Sequence, residues 1–384
     1  MKHRLGTLLA VCALAGLFAG TQGLQAQITP AAGYTPPDDT PKVNVGGVIY
    51  TDYTYQADPK TKDADGNTVH TSAFNLTRAY INVTGSISHW VSFRITPDVT
   101  RETLSGAPAG TTLSTNGSLE YRLKYAYGQI NFDDFLTHGS WIRLGIQQTP
   151  FIDYEEGIYR YRFQGQVFVE REGPGGSGSF LVSADTGAST RLVFPGNFGE
   201  VHAGVYNGEG YQNPESNDQK AYQIRLTLRP APSIPIAKGL RLTGFYDGDH
   251  YVRHAVKRRY VGNLTFEHPY VNLGFDYLNA KDQQASATKP EVTAEGWSAW
   301  VTPRTPIGLE ALLRYDDVKP NKDVSGRKRR YIAGLSYWFP VTKAGIAAAL
   351  LADFEELRYK DFPAGNALAK PTERRLALHT LFAF

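Results

Sequence analysis

Asp247-Gly248-Asp249-His250 is the group in this 384-residue sequence that most resembles a hydrolase site. A carboxylate beside an imidazole can take a proton from water or from a Ser hydroxyl. No Ser stands in a recognisable nucleophile motif, so the four residues are expected to be a turn with a local His. Gly173-Pro174-Gly175-Gly176-Ser177-Gly178 matches a dinucleotide-binding pattern letter for letter. It does not sit between a strand and a helix of a βαβ unit, so it reads as flexible loop. Asp63-Ala64-Asp65-Gly66-Asn67 opens like a calcium loop, but its Gly is misplaced and Phe74 stands where a bidentate Glu is needed. It too reads as a turn. The one Cys, Cys12, lies in an apolar N-terminal run, so no disulfide, zinc-thiolate or redox chemistry is expected beyond it. These motifs predict no enzyme, no metal and no cofactor.

The chemistry that remains is electrostatic, and it lies in rows. Gln223, Arg225, Thr227 and Arg229 alternate with Tyr222, Ile224, Leu226 and Leu228. Residues two apart share a face of a β-strand. The same parity separates Arg78, Tyr80 and Asn82 from Ala79, Ile81 and Val83. It separates Arg94, Thr96 and Asp98 from Val91, Phe93 and Ile95, and Arg143 and Gln147 from Ile142, Leu144 and Ile146. The polar faces gather Arg78, Arg94, Arg143, Arg191, Arg225, Arg229, Arg241, Arg259 and Arg314, with Asp98, Asp247, Glu267, Asp276, Glu310, Asp316 and Asp353. Charges in such number need water on one side, while the other side of each strand is apolar.

Strands of this kind are read at 43–56, 71–86, 88–100, 118–132, 140–148, 185–195, 199–209 and 219–230, then at 239–248, 258–268, 271–280, 293–304, 307–317, 328–340, 344–358 and 374–384. In the fourth the apolar parity switches near Lys124 to Ala126, as at a bulge. Their connections alternate long (57–70, 101–117, 149–184, 249–257, 281–292, 318–327, 359–373) and short. No long segment shows a helical apolar period. The fold class expected is an all-β, transmembrane, antiparallel barrel of about sixteen strands, with short periplasmic turns and long extracellular loops.

The N-terminus fits an exported chain. Lys2 and Arg4 precede the apolar run Leu8 to Phe18, whose 11 residues are too few for the roughly 20 of a membrane span. Residues 1–26 are expected to be a signal peptide, 27–42 a Pro-rich periplasmic lead-in, and 43–384 the barrel. Aromatic residues are 12% of the chain, with 23 Tyr and 19 Phe, enough for two interfacial girdles. Without Lys2 and Arg4 the 40 basic residues become 38 against 37 acidic, so nothing points to nucleic acid. Leu376, Leu378, Thr380, Phe382 and Phe384 share a face of the last strand. A strand ending on Phe384 is expected to pair with the first and to be read by the barrel assembly machinery.

Four stretches resemble the phosphate-selective porin O and P family of Gram-negative outer membranes. They are Arg143-Leu144-Gly145-Ile146-Gln147-Gln148-Thr149-Pro150-Phe151, Gly204-Val205-Tyr206-Asn207-Gly208-Glu209-Gly210, Leu309-Glu310-Ala311-Leu312-Leu313-Arg314-Tyr315-Asp316 and Gly334-Leu335-Ser336-Tyr337-Trp338-Phe339-Pro340. Their order and spacing carry the likeness over most of the chain. The resemblance implies an outer-membrane porin of sixteen strands, a homotrimer, whose third extracellular loop folds into the lumen. It does not imply phosphate for this chain.

The loop in question is 149–184. It carries Asp153, Glu155, Glu156, Glu170 and Glu172 with Arg160, Arg162 and Arg171, among Tyr154, Tyr159, Tyr161, Phe163 and Phe168. Side chains at a narrow point set selectivity by size and field, so Tyr154, Glu155, Glu156, Tyr159, Arg160, Arg162 and Arg171 are the expected constriction residues. The competing reading is that Arg160 and Arg162 pair with carboxylates and only hold the loop in place. Glu310 and Arg314, four apart on one strand, equally fit a wall ion pair. The expected function is passive diffusion of small hydrophilic solutes with a mild anion preference. Alternatives are a specific channel for carbohydrates or aromatic acids, and a structural or adhesive barrel. Outer-membrane lipid and lipopolysaccharide are the expected partners, and the basic runs Arg253 to Arg259 and Lys319 to Arg330 are placed at or near the outer rim, read first as solvated loop charge, with an anion funnel and contacts to lipopolysaccharide phosphates as the alternatives.

Overall fold

The computed structural model describes residues 39–101, 117–176, 178–283, 288–340 and 345–384. The expected signal peptide, and residues 27–38 of the lead-in, lie outside them. Alternating apolar and polar residues form long strands because each face finds its own solvent. The strands in chain order are β1 Lys42–Asp58, β2 Thr61–Lys62, β3 Thr68–Val69, β4 Ser72–Ser86, β5 Val91–Arg101 and β6 Leu119–Asn131. They continue with β7 Trp141–Gln148, β8 Ala184–Val193, β9 Gly199–Tyr206, β10 Ala221–Leu228, β11 Leu240–His250 and β12 Val256–His268. The last are β13 Val271–Asp282, β14 Val292–Pro303, β15 Leu309–Lys319, β16 Arg327–Trp338, β17 Ala347–Lys360 and β18 Glu373–Ala383. All but β2 and β3 form one closed sixteen-stranded barrel in which chain neighbours pair antiparallel. Closure leaves no unpaired strand edge, the condition a sheet must meet in a bilayer.

The seam is β1 against β18, with Thr51 opposite Thr380 and Asp52 opposite His379. Phe384 adds one further rung. Its N–H donates to the Gly47 carbonyl at 3.0 Å, and its own carbonyl accepts from the Gly47 N–H at 2.8 Å. The Phe384 ring lies over Gly47, where a Cβ would stand 2.6 Å from the ring Cζ. A side chain at 47 would have to push the terminal ring aside.

Tyr222, Ile224, Leu226 and Leu228 are exposed on the outside, while Gln223, Arg225, Thr227 and Arg229 are buried inside. The parity switch in β6 is a bulge: Thr96 pairs with Tyr125 and Pro97 with Leu123, so Lys124 has no opposite number. Lys124 and Tyr125 both end up inside and buried. A second bulge at Thr77 comes between the pairs Tyr50–Arg78 and Thr51–Leu76.

Three expectations are corrected. Asp247 to His250 is not a turn. It is the end of β11, because the ladder with β12 runs on through Asp249–Lys257 and His250–Val256. The turn is 251–255, closed by the Tyr251 N–H on the Ala255 carbonyl at 3.0 Å, so the long loop expected at 249–257 is short. Conversely, the β10–β11 connection, 229–239, is long for the end that carries the short turns. Pro230, Pro232 and Pro235 cannot donate to a ladder there. The loop expected at 57–70 contains the small hairpin β2–β3. Within it Asp63 Oδ1 accepts from the Asp65 and Asn67 N–H groups at 3.0 and 2.8 Å, which is the turn the sequence suggested.

Candidate functional site: an arginine-faced wall beside an inward segment

The segment between β7 and β8 begins at a tied neck, where the Thr149 N–H donates to the Ser183 carbonyl at 3.2 Å and Thr149 Oγ1 to the Val182 carbonyl at 2.5 Å. Helix α1, Ile152–Tyr159, follows, then α2, Phe168–Arg171. Ile152, Glu155, Ile158 and Tyr159 recur at helical spacing and form the buried face of α1. Arg160 ends the helix in the left-handed conformation, φ 66°.

That buried face meets the inner wall. Ring centres of Phe151 and Phe245 are 5.3 Å apart, and those of Tyr159 and Trp300 5.2 Å apart. Phe163 lies 5.8 Å from Trp338 and 6.2 Å from Tyr50. Leu278, Leu312, Ile332, Leu351 and Leu381 complete one apolar cluster with Phe151, Ile152, Ile158, Phe168, Val169 and Phe180. These wall residues stand at lumen parity, where a wet barrel carries polar side chains. They are apolar because the segment covers them. Each fully buried Leu, Ile or Phe contributes about 1.5–3 kcal/mol, so the dock is held mainly by burial.

The charged residues of the segment pair with the wall or with each other. Arg160 Nη1 is 3.4 Å from Glu310 Oε1, and its guanidinium carbon lies 4.2 Å from the Trp338 ring centre. Arg304 Nε also donates to Glu310, at 3.0 Å, and Tyr161 Oη donates to its second oxygen at 2.8 Å. Arg162 lies 2.5 Å from Glu156 and 3.3 Å from Glu170. Arg171 Nη2 donates to both oxygens of Glu355, at 2.7 and 2.9 Å. Glu172 accepts from Lys328 and Arg330.

Burial and the adjacent Asp276 push Glu155 well above the usual carboxylate range. Burial also pushes Glu156 up to about 7, with Arg162 and Lys124 opposing and Glu170 adding to the rise. Arg171 is pushed down to about 10 by burial and by Arg330 beside it. Burial would lower Arg162, but Glu156 and Glu170 outweigh it and hold the guanidinium charged.

The wall from β4 to β11 is different. Arg94 donates to Asn82 Oδ1 and to Thr96 Oγ1, both at 2.9 Å. Arg143 donates to the Gln129 and Gln148 side-chain carbonyls at 2.6 and 3.1 Å. These acceptors are neutral, so both guanidiniums keep their charge facing the interior. Arg78 pairs with Asp98 at 3.3 Å. Arg191 and Arg225 share Glu200, at 3.0 and 2.5 Å. Between α1 and β7–β11 lies a cavity of about 170 Å³, where Arg143, Arg191, Arg225, Arg229 and Arg241 converge against Asp153 and Glu200. Trp141, His202 and Tyr154 supply its rings. The Arg225 guanidinium carbon lies 4.1 Å from the Tyr154 ring centre.

Five of the arginines expected on the wall therefore meet at one cavity, with Tyr154. Arg259, 2.9 Å from Asp282, and Arg314, 2.8 Å from Asp316, are tied to wall carboxylates on the covered side, and so is Glu310 to its arginines. Glu155, Tyr159, Arg160, Arg162 and Arg171 lie in the dock. Trp141, His202 and Glu200 were not anticipated. All three stand at lumen parity, which was the available signal.

Solved structures resemble this fold. The anion-selective porin of Comamonas acidovorans superposes with a TM-score of 0.59 at 12% identity, over 90% of this chain and 100% of that one. OmpF of Salmonella typhi gives 0.57 at 11%, over 90% and 98%. The outer membrane channel DcaP of Acinetobacter baumannii gives 0.54 at 14%, over 92% and 100%. This chain has the porin fold. Its apolar exterior and closed sheet make it a transmembrane barrel of the Gram-negative outer membrane. No protein-family model matches the chain, and no curated protein matches it.

Proposed function

We propose that the chain is a passive outer-membrane channel for small hydrophilic solutes with a preference for anions. The observation that carries this is the convergence of Arg143, Arg191, Arg225, Arg229 and Arg241 on one cavity against Asp153 and Glu200, with Arg241 also paired to Glu267 behind it. Positive side chains in a low-dielectric wall concentrate anions by focusing their field. The docked 149–184 segment is the constriction in this reading, and it acts by size. Its own Arg160, Arg162 and Arg171 hold it in place, while selectivity resides on the wall it faces. The neighbour from Comamonas acidovorans, named as anion-selective, fits the same reading.

Single-channel recording in a salt gradient tests it. The reversal potential should lie on the anion side, and added phosphate, pyrophosphate or a small dicarboxylate should block. A silent bilayer overturns the channel, and a cation-side reversal potential overturns the anion preference. Trp141 and Tyr154 beside these arginines favour one narrower reading, a site for aromatic acids, whose sign would be saturable block by benzoate but not by acetate. Trimerisation and recognition of Phe384 by the assembly machinery remain part of the proposal, checked by native electrophoresis and by folding of a Phe384→Ala chain.

A further inference from the structure

Asp247, Asp249 and His250, from the group that reads most like a reactive site in the sequence, line a second cavity of about 200 Å³. It lies at the extracellular end of β8–β12, beside residues 179–182 of the inward segment. Asp185, Glu209, Asp247 and Asp249 give it four carboxylates, set against Lys257. Phe180 and Tyr251 supply its rings.

Three of these carboxylates already hold donors. Asp185 accepts from the Thr186 and Gly208 N–H groups at 2.7 and 2.8 Å. Asp249 accepts from the His250 N–H and from the Lys257 ammonium, both at 2.7 Å. Glu209 accepts from Ser216 and Asn217 at 2.7 and 2.9 Å. Asp247 differs. It is 2% exposed, and its Oδ1 accepts no hydrogen bond. Gln223 stands directly opposite on β10, 6% exposed, and its Oε1 is equally empty. The nearby bases are committed elsewhere. Lys257 is held by Asp249 and by the Gly208 carbonyl at 2.9 Å. Arg259 is held by Asp282 and by the Phe180 carbonyl, each at 2.9 Å. Two buried acceptors, one of them a carboxylate oxygen, therefore lack a donor, which a folded chain avoids unless something else supplies it.

We propose that this cavity binds the ammonium group of a small primary amine, with Asp247 and Gln223 as its acceptors. A primary ammonium is a compact charge whose N–H donors match a few fixed oxygens. Lys257 displays the same chemistry alongside: its ammonium lies between Asp249 and the Gly208 carbonyl, 5.3 Å from the Tyr251 ring centre. A divalent ion fits worse. Calcium takes roughly six to eight oxygens, and among the described residues no three acidic or His side chains are grouped to chelate a metal. Gln223 is one inward step above Arg225 on β10, and the site is separate from the arginine cavity. It holds whichever ion the channel prefers.

The test uses the full folded barrel in detergent and equilibrium dialysis against labelled propylamine. Wild type should show one saturable site per chain. Propanol, which lacks the charge, and tetramethylammonium, which has the charge without N–H donors, should each compete roughly tenfold less well than unlabelled propylamine. Asp247→Asn should weaken binding roughly tenfold, and Gln223→Leu by less, both keeping the heat-dependent gel shift. Uptake that does not saturate, equal competition by the three compounds, or unchanged binding by Asp247→Asn overturns the proposal. So does displacement of the amine by micromolar calcium, which would make this a metal site. Should Asp247→Asn not fold, the competitor series on wild type, with Gln223→Leu, decides the matter.

Discussion

The Arg143 guanidinium lies over Trp141, its central carbon 3.8 Å from the ring centre. Tyr127 flanks it at 4.6 Å. The rings fix an otherwise flexible cation without neutralising it, which a carboxylate would do. Arg143 is thus a permanent positive charge in a set place on the wall opposite the dock.

Arg143→Gln should therefore lower the anion-to-cation permeability ratio, by about fivefold if one unit charge acts at roughly 1 kcal/mol. Trp141→Ala should lower it less, because the charge stays but wanders. Reversal potentials of both variants in a potassium chloride gradient measure this. An unchanged ratio for Arg143→Gln would remove the wall as the source of selectivity.

Glu156 should make that ratio depend on pH. Its pKa of about 7, raised by burial, leaves it neutral below and charged above. Arg162, Lys124, Glu170 and Asp153 face it, and Tyr50 and Tyr80 lie close by. Anion preference should fall as pH rises through about 7 and should stay flat in Glu156→Gln. Stability follows the same sign. The folded chain holds this proton more tightly than the unfolded one, so stability is greatest at low pH and declines as pH rises from about 4.5 to 7. Thermal unfolding of wild type and Glu156→Gln over that window would show it.

Leu312→Ala should loosen the inward segment rather than the barrel. Leu312 is fully buried in the cluster beneath the segment, and such a truncation costs about 2–5 kcal/mol. Protease cleavage within 149–183 should speed up, and channel noise should rise, while the heat-dependent gel shift persists.

Arg162→Gln leaves Glu156 and Glu170 buried without their cation, at a cost of about 3–5 kcal/mol. Adding Glu170→Gln should recover part of it. Unfolding midpoints of the single and double variants, compared in one detergent, give the coupling.

Much of this was legible in the sequence, because a strand has period two. Arg225, Thr227 and Arg229 inside with Leu226 and Leu228 outside follow from that period alone, and so does the bulge at Lys124, where the period slips. The pairing of Arg160 with Glu310 was not legible, since 150 residues separate them and no local rule joins them. Leu278, Leu312, Ile332 and Leu351 carried a readable sign of the dock, being apolar where the parity demanded polar. Only the segment that covers them turns that exception into a contact. The end of β11 was lost for the opposite reason. Asp247-Gly248-Asp249-His250 has the composition of a turn, and pairing with β12 overrode it.

The ring of Phe384 over Gly47 bears on how the barrel finds its seam. A slip of one residue between β1 and β18 would turn every face of the closing strand inside out, and membrane and water both reject that. A slip of two keeps the faces, so alternation alone does not forbid it. It would slide the ring off Gly47 and over a neighbour at the same parity, Val45 or Ile49, each with a side chain where the ring must lie. The bare position takes the ring without displacing a side chain, so it biases the seam toward the alignment that alternation alone leaves open.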